Sequence, residues 1–214
     1  MFILQQNNHV ILGPKDWNQR MFQSVVNDEL GLDINLPVFT ANSPAFILNE
    51  TTSILPVEFV ETPSYNSKIE QLAGPFWDYQ VDKAIASYTI VPKNIDAVKN
   101  ELKGIVANTR YNREVAGIKV TIQGLELNVY TARGERDIYA QALLLNAGGK
   151  NWKFGSIWIT LSTAELQEIV SAIMTHIQTC FDWESATIAN IDSKNALTEL
   201  NSIVVVDTPT PPQI

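Results

Sequence analysis

Short apolar bursts separated by turn residues fill the first 60 positions, and apolar residues three and four apart recur through the second half. Phe2-Ile3-Leu4 and Val10-Ile11-Leu12 flank Gln5-Gln6-Asn7-Asn8-His9. This predicts a hairpin over 2–12, because Asn tolerates the left-handed backbone of a tight turn. Gly13-Pro14 is expected to stop its second strand. Asp16 is positioned to cap a helix running to about Leu30, with Trp17, Phe22 (or Met21), Val25 and Leu30 as its apolar side. Gly31 stands just past its end. Strand-like pieces at 36–40, 45–48 and 54–60 are broken by Pro37, Pro44 and Pro56. The polar stretch 61–67, with Pro63, is the best linker candidate, and the domain boundary is expected there or at Gly74-Pro75.

Residues 76–79 and 84–91 read as strands. Pro92 and Asn94 then introduce a helix to about Val115, with Ile95, Val98, Leu102, Ile105 and Val106 at helical spacing. Ile118–Ile122 and Leu125–Val129 form a hairpin turned at Gln123-Gly124. A short helix over 134–146 is expected to turn Ile138, Ala142 and Leu145 (or Leu144) inward, and Gly148-Gly149 ends it. A second hairpin covers 151–154 and Ile157–Leu161. Ser162-Thr163-Ala164-Glu165 has the form of a capping box. It opens the longest helix, on which Leu166, Ile169, Val170, Ile173, Met174, Ile177, Phe181, Ile188 and Ile191 recur. A last short helix is expected over 196–203.

The resulting fold class is α+β. A small, mainly β N-terminal domain with one helix (1–65) is expected to dock on something. An α+β domain of two β-hairpins packed against three or four helices follows (66–206), and 207–214 form an extended Pro-rich tail.

Composition narrows the functions. The 214 residues carry a net charge of −8 and a pI near 4.7, without any Lys/Arg run. Such a chain gains nothing from counterion release, so neither nucleic acid nor an anionic membrane surface is an expected partner. No apolar run approaches the ~18–20 residues of a membrane span. The N-terminal Met1-Phe2-Ile3-Leu4 has no basic region or cleavage pattern of a secretory signal. Charged residues are only 18% of the chain, below the roughly 25% of average proteins. Either much surface is buried or much of it meets other subunits. Cys180 is the single cysteine, so no intrachain disulfide forms, and with two separated histidines no Cys/His zinc site is expected.

Candidate chemistry is thin. His176 and Cys180 are four apart on the longest helix and could pair as base and nucleophile, but no third group is evident, and packing or hydrogen bonding is the favoured reading. Asp182 and Glu184 diverge by about 200° on a helix, a poor acid–base pair, and with Asp192 they read as a solvated or partner-facing side. The stretch 131–137 has one glycine and no Lys-Ser/Thr pair, unlike a phosphate loop. Its acidic residues suit a helix start, and Arg133 and Arg136 are read as ion-pair or interface residues. Trp77, Tyr79, Trp152, Trp158 and Trp183 could stack sugars, although core or interface packing is favoured. Trp152 and Trp158 are expected to straddle one hairpin. Catalytic, cofactor and metal residues are therefore expected to be absent, and Trp152, Trp158, Arg133 and Arg136 are the candidate interface or glycan-contact residues.

Several motifs follow one order through 102–203. They are Arg110-Tyr111-x-Arg113-Glu114-x-x-Gly117-Ile118, Thr131-x-Arg133-Gly134-x-Arg136-Asp137 and Trp152-Lys153-Phe154. Leu161-x-x-Ala164-Glu165-Leu166, His176-x-x-x-Cys180-Phe181-x-x-Glu184 and Leu197-x-x-Leu200 complete the series. In that order they resemble a family, a domain of unknown function that recurs in tailed-phage genes near tail-fibre and baseplate genes. Val10-Ile11-Leu12-Gly13-Pro14 with Trp17-Asn18 is similar to the N-terminal regions of phage structural proteins. The resemblance implies a virion component of the tail region, assembled in the host cytoplasm, with no catalytic residues. Expected partners are other tail, baseplate or fibre proteins, in multiple copies of a symmetric assembly. An adaptor, a tail-fibre assembly chaperone and a glycan-binding receptor module are the three roles it leaves open.

Overall fold

The run Phe2-Ile3-Leu4 is buried on both sides, which explains why it is continuous rather than alternating. In a computed structural model, which describes residues 1–205, this run lies in strand β1 (Phe2–Gln6). Phe2 and Leu4 pack on Phe22, Val26, Phe39 and Ile54, while Ile3 packs from the opposite face with Leu55 and Ala84. The turn into β2 (His9–Lys15) places Asn7 and Asn8 at φ 52° and 62°, as a two-residue hairpin turn requires. The second strand does not stop at Gly13-Pro14. It continues to Lys15 through a register shift opposite Phe2, and Gly13 is needed there because a Cβ would sit 2.6 Å from the Phe2 carbonyl oxygen.

Helix α1 (Gln19–Ser24) is capped by Asn18, whose side chain accepts from the Met21 N–H. Asp16 is not the cap, because β2 runs to Lys15 and Trp17 is drawn into stacking on Phe22 and tilted contact with Phe39. The helix widens into a π-turn (Val25–Glu29) that points both Val25 and Val26 into the core. The expected strand at 36–40 is irregular chain. Gln19 donates to the Leu36 carbonyl, and Gln23 accepts from the Leu36 N–H. Backbone groups held by helix side chains have no need of a strand partner.

Strands β3 (Phe46–Ile47), β4 (Thr52–Phe59), β5 (Glu70–Tyr79) and β6 (Ala84–Pro92) complete a mixed sheet in the order β2-β1-β4-β6-β5, with β3 on β4. β4 and β6 are parallel, and β5 returns antiparallel on β6. These pairings shift the boundary. The first compact unit is Met1–Pro92, so 66–92 belong to the N-terminal sheet rather than to the second domain. The sequence between β4 and β5 reads as a linker but connects two strands of one sheet.

The second unit begins at Lys93. Helix α2 (Ile95–Val115) is capped by Asn94 and buries Val98, Leu102, Val106 and Thr109. Ile105 lies outside this stripe and is exposed. Hairpin β7 (Ile118–Ile122) and β8 (Leu125–Val129) turns at Gln123-Gly124, both at positive φ. Helix α3 (Arg133–Leu144) precedes hairpin β9 (Lys150–Phe154) and β10 (Ile157–Leu161). Helix α4 (Thr163–Asp192) opens with the capping box of Ser162 and Glu165, and α5 (Leu197–Asn201) buries Leu200. One core joins the inner faces of both hairpins (Ile122, Leu127, Phe154, Leu161) to Leu166, Ile169 and Ile173 of α4. The α+β class, with a strand-rich first part and two hairpins on helices in the second, is as expected from the sequence. The proposed tail at 207–214 lies outside the described residues.

Candidate functional site

Helix α3 meets the core along a different line from the one its sequence suggests. Tyr139, Ala142 and Leu143 face inward, and Tyr139 stacks on Trp152 and Phe154 at ring distances of 5.3 and 6.2 Å. Ala142 faces inward as the sequence suggests, but Ile138 and Leu145 (or Leu144), expected beside it, are exposed, at 53%, 79% and 85%. The Tyr139 ring takes the core-facing position on two aromatic neighbours, which turns the adjacent Ile138 outward. Burial of the ring pushes the Tyr139 hydroxyl up to about 12, with Glu135 adding to it.

Three of the ordered motifs converge where α2, α3 and α4 meet. Glu114, near the end of α2, is buried and takes both of its carboxylate oxygens to arginines. Arg110, one turn earlier, pairs with one oxygen, and Arg136 of α3 donates to the other at 2.8 Å. Arg110 also reaches Glu184 of α4 at 3.2 Å and lies over the Phe181 ring. Two positive and two negative groups make a closed, neutral set tying three helices together. Thr131 extends it: its hydroxyl donates to the Glu114 carbonyl and accepts from the Gly117 N–H at 3.0 Å. Glu184 is thus an internal ion-pair partner, whereas Asp182 stays exposed on the helix with Gln178. Asp192 pairs with Lys103 of α2 at 2.6 Å.

His176 and Cys180 lie beside this network and are both buried. The His176 Nε2 is 2.9 Å from the Arg113 carbonyl oxygen. A carbonyl only accepts, so Nε2 carries the proton and is not free to take one from the thiol 3.9 Å away. Burial pushes the Cys180 thiol up, helped by the Glu114 charge and opposed by Arg113 and Arg110. The geometry is that of two packed core residues rather than of an activated nucleophile. Among the described residues no group of three or more His, Cys, Asp or Glu is placed to hold a metal ion. Nor is any helix there long and apolar enough to cross a membrane.

The four residues singled out from sequence are separated by the fold. Trp152 pairs with Ile159 and Trp158 with Lys153 across the β9–β10 hairpin, so the two indoles occupy opposite faces. Trp152 belongs to the core side, and its buried indole N–H has no hydrogen-bond partner among the described residues. Trp158 is 67% exposed beneath the Lys153 ammonium. They form no shared sugar platform. Arg136 is consumed by Glu114, while Arg133 stands exposed at the first turn of α3. Sequence reasoning missed Glu114 as the hub. The available signal was Arg110 and Glu114 at i,i+4 with two further arginine positions in the motif order.

Between α3 and α4 lies a groove of about 320 Å³, floored by Val170, Ile173 and Ile177 and walled by Met174, Ala140 and Arg133. Residues 97–207 match the family model described as Domain of unknown function (DUF4376). No curated protein and no solved structure matches the chain.

Proposed function

Since this chain belongs to the DUF4376 family, we propose a function from its own surface: a non-enzymatic structural component of a tailed-phage virion. In this reading it is an adaptor in the baseplate or tail-fibre region that attaches one protein to another. The observation that carries attachment is the set of large apolar side chains that two packed helices leave in water, Ile138, Leu144 and Leu145 on α3 and Met174 on α4. A monomer gains nothing from keeping such side chains in water, and we read them as surface that another chain covers. The low charged fraction of 18% supports the same reading. The tail location rests on the ordered motifs from Arg110 to Leu200 and their resemblance to phage tail-region domains. The closed ion network fits a rigid fitting better than a catalyst, since its charges are all spent on one another.

Quantitative mass spectrometry of purified virions tests the assignment. A fixed stoichiometric copy number per particle is expected. Its absence from the particle, with binding to fibre subunits only during assembly, would instead make the chain a tail-fibre assembly chaperone.

A further inference from the structure

The α3–α4 groove has a direction and a polarity that specify what covers it. Thr163 at the start of α4 donates to Asn146 at 3.0 Å, and the Gly149 N–H donates to the Leu161 carbonyl at 2.7 Å. The end of α3 is thereby pinned beside the beginning of α4, so the two helices run antiparallel. Ala140 then lies toward the Val170 end of the groove and Arg133 at the Ile177 end. Positions 133, 137 and 140 form one stripe along α3. It spans about 10 Å at 1.5 Å per residue, room for about three residues of extended chain. The floor is apolar from end to end.

Charge at the two ends is unequal. Arg136 is committed to Glu114, but Arg133 has no hydrogen bond or ion pair among the described residues. It also stands in the first turn of α3, where the helix dipole disfavours a cation and favours an anion. An arginine held there against its local electrostatics is suited to a carboxylate arriving from outside. Asp137, one turn on, repels a carboxylate and confines it to the Arg133 end. A small amphiphile would leave most of its surface wet in so open a groove, whereas small-molecule sites bury most of theirs. Two copies of a chain of net charge −8 repel one another.

We infer that the α3–α4 groove is the docking site for a segment of a different protein, which lays apolar side chains on Ile173, Met174 and Ile177 and sets an Asp or Glu against Arg133. The inference rests on the attachment reading above and supplies its contact surface and the chemistry of the partner.

The test is site-specific photocrosslinking in the cells that naturally make the chain. Benzoylphenylalanine replaces Ala140 or Met174 in the full-length protein, with Trp158 as the control position outside the groove. Crosslinks from 140 and 174 to one partner segment are expected, apolar and with an Asp or Glu within a few residues. Arg133→Glu should reduce their yield by about tenfold, whereas Arg133→Lys should keep most of it. Thermal melting of each variant, expected to be unchanged at these exposed positions, shows that the fold is intact. The inference is overturned if the groove positions give no crosslink, if they capture a second copy of this chain, or if Arg133→Glu leaves the yield unmoved. If such crosslinks form but the partner or the chain is foreign to the virion, the tail assignment fails and the groove assignment stands.

Discussion

The Arg136 guanidinium on α3 donates to the Glu114 carboxylate on α2 at 2.8 Å, across 22 residues of chain that include a complete hairpin. The contact converts a local Arg110–Glu114 helix pair into a tertiary tie. Removing Glu114 strands Arg136 and leaves Arg110 with Glu184 alone, and both arginine side chains are only about one-fifth exposed. Glu114→Ala should therefore cost about 3 kcal/mol, and Glu114→Gln, which keeps the shape and one acceptor, should cost less. Urea titration checks this, with a lower midpoint and an unchanged slope expected for both.

The two hairpin tryptophans should behave as opposites. Trp152→Ala opens space against Tyr139 and should destabilise the second unit by about 3 kcal/mol. Trp158→Ala removes an exposed ring and should change stability by less than about 0.5 kcal/mol. Equal losses in chemical denaturation would contradict their placement on opposite faces. Glycan-array binding that depends on both rings together would contradict it as well.

The start of α4 should be acid-sensitive. The Ser162 backbone N–H, then the Gln123 amide and the Ser162 hydroxyl, hold the Glu165 carboxyl below its ordinary 4.5. A depressed carboxyl contributes stability that is fully present above the unfolded value and is lost as pH falls through the folded one. The stability difference between the wild-type chain and Glu165→Gln should thus be constant at neutral pH and shrink below about pH 4.5. Ser162→Ala should cost about 1 kcal/mol by removing the cap itself. Melting of both variants across a pH series reads the outcome.

Tyr139 should titrate late among the six tyrosines. Burial first, and Glu135 second, raise its hydroxyl from 10.0 to about 12. A raised pKa favours the protonated fold, so the contribution is intact below pH 10 and is lost as pH climbs through 12. Ultraviolet difference titration should show one phenol ionising near 12 that disappears in Tyr139→Phe. A normal titration of all six would show that Tyr139 is not packed between Trp152 and Phe154.

Local rules made the hairpins, the capping box, the long helices and the α+β class legible from the chain alone. Asn7-Asn8 and Gln123-Gly124 demand their turns, and Ser162 with Glu165 demands a helix start, because those preferences act within a few residues. Helix rotation was not legible. Periodicity on α3 pointed to Ile138, Ala142 and Leu145 (or Leu144) as the inward face, and only the tertiary stacking of Tyr139 on Trp152 turns Tyr139 inward in place of Ile138. The boundary was equally a tertiary matter, since residues 61–67 look like a linker until β6 pairs with β4 on one side and β5 on the other. Glu114 shows the same division at the candidate site. Its i,i+4 relation to Arg110 is written in the sequence, but its partnership with Arg136, and the indirect link to Glu184, exist only because packing brings three helices to one point.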